Sequence, residues 1–270
     1  MRAMTSKEVK KCQLDLLMEL DEYCRTNKIQ YFLFAGSLIG AVRHKGFIPW
    51  DDDIDVCMKR EDYDFFFANF NKQKNHYGKA VCIENDVNYY TPAGKILDSR
   101  TILVEEINLN YPIGVYIDVF PLDRMPDDIT EITILNRRID KYRKAITLKT
   151  TKVSKDRTWY KNAVLRIGEL FLKPISMRYL LNNISRLAQT YKDVTSCTRL
   201  ADISVFTYGM KEVHLMSEFE KTVELEFEGR IFWGPCGYDS VLKRMYGDYM
   251  KLPPKEKQIA HHSYQAYWRE

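Results

Sequence analysis

Cysteine is scarce and unpatterned. The six thiols, Cys12, Cys24, Cys57, Cys82, Cys197 and Cys236, form no C-x-x-C pair. This excludes a zinc ribbon or a dithiol redox motif, and it favours buried free thiols in a reducing compartment over a disulfide framework. Long apolar runs are absent too, and none approaches the roughly 18 residues that a membrane span needs. The first residues lack the apolar core and small-residue cleavage site of a secretory signal. Internal repeats and low-complexity linkers are missing. A cytoplasmic location is expected, with the inner face of the cell membrane left open.

What is present is ordinary in bulk and uneven in distribution. Of 270 residues, 45% are hydrophobic and 29% charged, as in a soluble globular chain with one substantial core or two modest domains. The net charge of +4 conceals a basic block. From Arg137 to Lys192 there are 15 Lys/Arg against 3 Asp/Glu, a balance of +12 that leaves −8 for the remainder. Such a block is either a solvated helical insertion or a focus for an anionic partner. It has no aromatic stacking pattern and no zinc-finger spacing, so no nucleic-acid partner is expected. Leu165, Leu170, Phe171, Leu172 and Ile175 give it an apolar side suited to a membrane interface, which makes the 131–192 stretch the candidate for peripheral membrane contact.

Hydrophobic periodicity supplies the elements. Thr5 and Glu8 fit a capping box, followed by Val9, Cys12, Leu16, Leu17, Leu20 and Cys24 at helical spacing, which predicts a helix over 5–26. Ile29–Phe34 reads as a buried strand running into Gly36-Ser37, with a helical turn over 38–43. Ile54, Val56 and Met58 alternate with Asp53, Asp55 and Cys57, the period of a strand. A helix over 59–70 follows, then strands at 79–84, 100–105 and 114–120. In the last of these Val115, Ile117 and Val119 point opposite to Tyr116 and Asp118. Residues 131–192 read as mostly helical and broken near Pro174. A hairpin or bent strand around Gly229, a helix near 239–246 and a basic, His-bearing tail complete the chain. The economical fold is α/β in the α+β sense, a mixed sheet with flanking helices. Its expected division is a catalytic core at 1–130, a basic helical insertion at 131–200, and a segment at 201–270 that completes the active site.

The chemistry concentrates between Gly36 and Asp55. Asp53 and Asp55, two apart on a predicted strand, project carboxylates from one face. Side by side they repel, and a divalent cation removes the conflict. Mg2+ suits such a set, with Mn2+ as the alternative, because it takes oxygen ligands and shares its shell with substrate phosphates. Asp51 and Asp52 add negative field from before the strand. Gly36 at a strand end allows close backbone approach, and Ser37 with nearby N–H groups can hold a phosphate.

A strand ending in Gly-Ser, a short helix and then Asp-x-Asp resembles the nucleotidyltransferase fold, although the 15 residues between Ser37 and Asp53 exceed the usual spacing. The longer string, Gly36-Ser37-Leu-Ile-Gly-Ala-Val-Arg-His-Lys-Gly-Phe-Ile-Pro-Trp-Asp-Asp-Asp53-Ile-Asp55, closely resembles the LicD family, phosphocholine transferases of bacterial surface polymers. The resemblance continues through Gly114-Val-Tyr-Ile-Asp118-Val-Phe-Pro-Leu-Asp123 and Tyr246-Gly-Asp-Tyr-Met-Lys-Leu-Pro-Pro254. It implies transfer of phosphocholine from CDP-choline to a hydroxyl of a teichoic acid or lipopolysaccharide sugar, with CMP leaving. The acceptor would be lipid-linked or an oligosaccharide. Fukutin-like relatives use CDP-linked pentitols, so another CDP-alditol donor is the first alternative. A nucleotidyltransferase releasing pyrophosphate is the second.

On this reading Asp53 and Asp55 hold the metal at the donor diphosphate. Asp118 is the third carboxylate, as ligand or as general base. Arg43, His44 and Lys45 lie between the motif halves, with Arg43 best suited to phosphate, and Lys95 is a further cationic candidate. Choline offers no conventional hydrogen-bond donor, so its recognition calls for aromatic faces. Tyr89, Tyr90, Tyr111, Tyr116 and Trp233 are the candidates for a cage. His261 or His262 in the tail is expected to close on the site.

Overall fold

The computed structural model describes residues 1–73, 76–105, 111–153, 158–259 and 264–269. After a two-residue strand, β1 (Arg2–Ala3), the capping box forms as expected. Thr5 Oγ accepts the Glu8 N–H, and the Glu8 carboxylate accepts the Thr5 N–H at 2.8 Å. Helix α1 (Ser6–Asn27) buries the predicted stripe from Val9 to Cys24. The apolar run that follows pairs as a strand only at β2 (Phe32–Leu33). The chain then turns into α2 (Ala35–Ile39) and a single wide turn over Gly40–His44.

Strand β3 (Asp55–Lys59) begins two residues later than its alternation predicts, so Asp53 precedes the strand instead of sharing it. Side-chain alternation continues into the extended approach, but the ladder starts at Asp55. Helix α3 (Arg60–Asn69) follows, then β4 (Gly78–Val81), β5 (Gly94–Asp98), β6 (Thr101–Glu105) and β7 (Tyr116–Met125). Strand β5 has no sequence signature, because its buried residues include Lys95 and Asp98 and show neither alternation nor an apolar run.

The principal sheet runs β2-β3-β7-β5-β4. Within it β3 and β7 are parallel, and the other pairs along that path are antiparallel. The far end of β7 pairs with β8 (Arg199–Ala201), which pairs in turn with β9 (Val213–Leu215). At the start of α3, Arg60 grips Asp123 of β7 through two parallel bonds, Nε to Oδ1 at 2.7 Å and Nη2 to Oδ2 at 2.8 Å. Both side chains are buried, so this pair joins helix to sheet where neither charge can reach water.

The basic block is mostly helical: α4 (Ile129–Thr150), α5 (Trp159–Leu172) and α6 (Met177–Ala188). Helix α4 buries Ile132, Leu135, Ile139 and Ile146 in the same apolar cluster as Leu180, Leu181, Ile184 and Ala188 of α6. These two are bound into the core, whereas α5 has no buried residue among those described. Its inner side faces α4, with Gly168 against Leu148 and Leu172 O accepting from Lys149 Nζ. Of the apolar residues expected to face outward, Leu165, Leu172 and Ile175 are therefore half-buried. The exposed face is instead Tyr160, Val164, Ile167 and Phe171, joined by Leu170.

The expected hairpin is β10 (Thr222–Phe227) with β11 (Arg230–Pro235), turning at Gly229, whose φ is +70°. Helix α7 (Tyr238–Tyr246) follows. The tail is not a loose basic end, because β12 (Tyr264–Trp268) lies between β1 and β6 in a separate three-stranded sheet. Among the described residues no helix is long and apolar enough to cross a membrane.

Candidate active site

The parallel pairing sets Asp55 of β3 directly opposite Asp118 of β7. On the other side of β7, Lys95 of β5 is the register partner of Asp118. Lys95 Nζ donates to Asp118 Oδ1 at 2.6 Å and stands 3.5 Å from the centroid of the Tyr116 ring. A buried lysine, a carboxylate and a second carboxylate thus form one row across three adjacent strands.

Gly36 and Ser37 hold the acidic loop in place from α2. Ser37 Oγ accepts the Asp55 N–H at 2.9 Å and is itself buried, so it positions the start of β3. A Cβ on Gly36 would lie 2.6 Å from Asp51 Oδ2. A side chain at this position would displace the Asp51 carboxylate, which occupies that space. The Asp52 carbonyl between them accepts from Gln13 Nε2 of α1 at 2.8 Å and from the Tyr264 hydroxyl of β12 at 3.1 Å.

Asp51, Asp53, Asp55 and Asp118 line one cavity of about 1030 Å³, together with Gly36 and Arg43. Burial holds the Asp55 carboxyl well above the usual carboxylate range, and the charges of Asp53, Asp118 and Asp51 push it the same way against Lys95. Burial and Asp53 raise Asp51 to about 7. Four acidic groups line this cavity, and Lys95 beside Asp118 and Lys10 near Asp51 act against their mutual repulsion. These hard oxygen donors fit a divalent cation such as Mg2+. Among the described residues, the three carboxylates whose oxygens all approach within 4.8 Å of one another are Asp51, Asp52 and Asp53. Asp51 is therefore more central than its place before the strand implies.

The remaining candidates separate. Arg43 lines the cavity, but its guanidinium donates to the Tyr249 and Lys251 carbonyls and to His44 Nδ1. His44 lies edge-on to Trp50 at 6.3 Å. Lys95 and Tyr116 stand behind Asp118, outside the cavity lining. Tyr89 is buried with its hydroxyl donating to Ala93 O at 2.7 Å, and it packs with Tyr90 and Tyr111 away from the cavity. Trp233 stacks on Tyr31 beneath the Arg25 guanidinium. Three of the candidate cage residues, Tyr89, Tyr90 and Tyr111, thus cluster with one another outside the cavity lining, while Tyr116 and Trp233 pack elsewhere. His261 and His262 lie outside the described residues.

The opposite wall comes from the last third of the chain. Asp202, Tyr208 and Glu212 follow β8, and Tyr246, Tyr249 and Pro254 come from the Tyr246–Pro254 string. Asp202 and Glu212 carry no sequence signature, because each is a lone acidic residue among mostly apolar neighbours outside any motif. Seven of the nine residues of the Tyr246–Pro254 string line the cavity.

Residues 28–162 match the family model described as LicD/FKTN/FKRP, nucleotidyltransferase domain. The chain is also similar to the lipopolysaccharide cholinephosphotransferase LicD of Haemophilus influenzae, at 32% identity over 272 aligned residues covering 99% of each protein. Uncharacterized proteins of Rickettsia prowazekii and Rickettsia typhi share 45% identity over 47 residues, 17% of this chain and 18% and 15% of theirs.

Proposed function

This chain belongs to the LicD/FKTN/FKRP nucleotidyltransferase family, and on that premise we propose that it transfers phosphocholine from CDP-choline to a hydroxyl of a lipopolysaccharide or related glycopolymer precursor, releasing CMP. The observation that carries the reading is the row Lys95–Asp118–Asp55, ending in a cavity that Asp51 and Asp53 also line.

Asp53 and Asp55, with Asp51 beside them, would hold Mg2+ or Mn2+. When bound, that ion neutralises charge on the donor diphosphate. Asp118 faces the same cavity with one oxygen held by Lys95. Its other oxygen is free to accept the proton of the acceptor hydroxyl as that oxygen bonds to phosphorus and the bond to CMP breaks. Lys95 fixes the orientation of the base and stays behind it.

Helix α5 supports the acceptor side of the reading. Tyr160, Val164, Ile167 and Phe171 recur at the spacing of a single helix face, and each is at least half exposed. They sit in the block whose charge balance is +12. An apolar stripe flanked by lysine and arginine matches an anionic lipid surface, where a lipid-linked acceptor would be presented.

Incubation with CDP-choline, Mg2+ and a lipopolysaccharide precursor tests the reading by product. CMP together with choline-modified acceptor supports it. CMP formed only from a CDP-alditol moves the donor assignment, and pyrophosphate from CTP and phosphocholine replaces the reaction altogether.

A further inference from the structure

Choline makes a demand that the acidic loop cannot meet. Only two methylenes separate its nitrogen from the phosphate ester oxygen, so the quaternary ammonium must lie beside the diphosphate site. Trp233 and Tyr89 are outside this cavity, and the wall facing the aspartates is built differently.

Tyr208 and Tyr246 meet edge to face there, with centroids 5.2 Å apart. Burial holds both phenols above their usual range, and the charges of Asp55 and Glu212 act on both in the same direction. Both rings therefore lie within electrostatic reach of Asp55 and of Glu212, and all four residues line the same cavity. Asp202 is buried and braced by Ser204 Oγ at 3.0 Å. Glu212 is only 4% exposed and accepts the Tyr208 N–H through Oε1 at 2.9 Å, while Oε2 has no hydrogen-bond partner among the described residues.

The nearby cation does not neutralise this pair directly. Arg143 of α4 spends its guanidinium on the Ile203 and Val205 carbonyls, at 3.3 and 2.8 Å, and on Asn136. It fixes the backbone between Asp202 and Tyr208. Two buried carboxyls and two aromatic rings are left facing a cavity without a bonded counter-charge. A metal ion would require several oxygens converging on one point, and among the described residues Asp202 and Glu212 belong to no such group of three. A bulky cation with diffuse charge and no N–H suits this lining, because rings and carboxylates attract it without hydrogen bonds.

We propose that Tyr208, Tyr246, Glu212 and Asp202 form the subsite for the quaternary ammonium of the donor, making this wall the determinant of choline against uncharged CDP-linked groups. The assignment rests on the phosphocholine-transfer reading and names its specificity residues. Glu212 and the ring faces contact the cation, and Asp202 completes the same lining.

The test compares CDP-choline with its uncharged carbon isostere, CDP-3,3-dimethylbutanol, using the full chain, Mg2+ and one acceptor. The wild type should favour the charged donor by about tenfold or more in kcat/KM, the scale of a desolvated cation–π contact. Glu212→Gln and Tyr208→Leu should each erase most of that preference through KM for CDP-choline, and Tyr208→Phe should retain it. Equal losses on both donors would overturn the subsite and make Glu212 a structural or proton-handling group. An unchanged preference in both variants would also overturn it. Wild type that releases no CMP from either donor instead defeats the phosphocholine-transfer reading itself. Should Tyr208→Leu fail to fold, the isosteric Glu212→Gln decides the matter.

Discussion

Asp55 and Asp118 are register partners across the parallel β3–β7 pair, and the lysine opposite Asp118 binds only the second of them. The sheet therefore divides two like residues into different roles. Asp118 is held by a cation, while Asp55 is buried among carboxylates.

Asp55→Asn removes a charge that the metal-free protein accommodates poorly. Its melting temperature without Mg2+ should equal or exceed that of the wild type, while CMP release falls by about a thousandfold. Thermal melts and a CMP assay check this, and near-normal turnover would remove Asp55 from the metal site.

Lys95→Met leaves Asp118 partly buried with its ion-pair partner gone. A stability loss of about 3 kcal/mol is expected from chemical denaturation. Arginine should not restore it, because Lys95 is buried against the Tyr116 ring and a guanidinium is bulkier than the ammonium it would replace. A Lys95→Arg protein as stable as the wild type would contradict that packing argument.

Gly36→Ala places a methyl group 2.6 Å from Asp51 Oδ2. The carboxylate must move, so turnover should fall by about 10- to 100-fold with little change in far-UV circular dichroism. Activity within twofold of wild type would mean that the position of Asp51 does not matter.

Stability without metal should fall between pH 6.5 and 8.5. Burial raises Asp202 to about 8 and Glu212 to about 7, so the folded state keeps protons that the unfolded chain has released. What they contribute is full below the unfolded carboxyl values and is lost as pH rises through 7 and 8. His214, lowered to about 3 by burial, acts in the opposite sense, but its contribution is complete above about 6.5. Urea midpoints should drop across that window, and Asp202→Asn should flatten the slope. A midpoint that rises with pH would show that other groups dominate.

Phe171→Glu on α5 should weaken binding to phosphatidylglycerol vesicles at low salt by about tenfold or more, with CMP release on a soluble acceptor preserved. Co-sedimentation measures it, and a wild type that ignores such vesicles would remove the membrane surface as partner.

The legible parts of the chain are those whose physics is local. The capping box, the α1 stripe and the hairpin at Gly229 depend on near neighbours, and they form within a few residues of where the pattern puts them. The Asp53, Asp55 and Asp118 candidates line one cavity, although Asp53 precedes the strand whose alternation suggested it. Strand β5 was illegible because its lysine is paired by a partner 23 residues away. Asp202, Glu212 and Tyr208 were illegible for a related reason. Only the pairing of β8 with the far end of β7 carries them to the cavity, and no short-range spacing records that pairing. Trp233 misled in the opposite direction, since an aromatic in a polar hairpin can stack on Tyr31 as readily as on a ligand.

The Asp52 carbonyl, held by Gln13 from one end of the chain and Tyr264 from the other, has a thermodynamic consequence. The acidic loop is fixed through its peptide backbone, by bonds that remain whether the carboxylates are protonated, ionised or neutralised. Its conformational entropy is therefore surrendered during folding, before any substrate arrives. Binding then costs the loop little further ordering, and more of the interaction energy with an incoming diphosphate is available for affinity and catalysis.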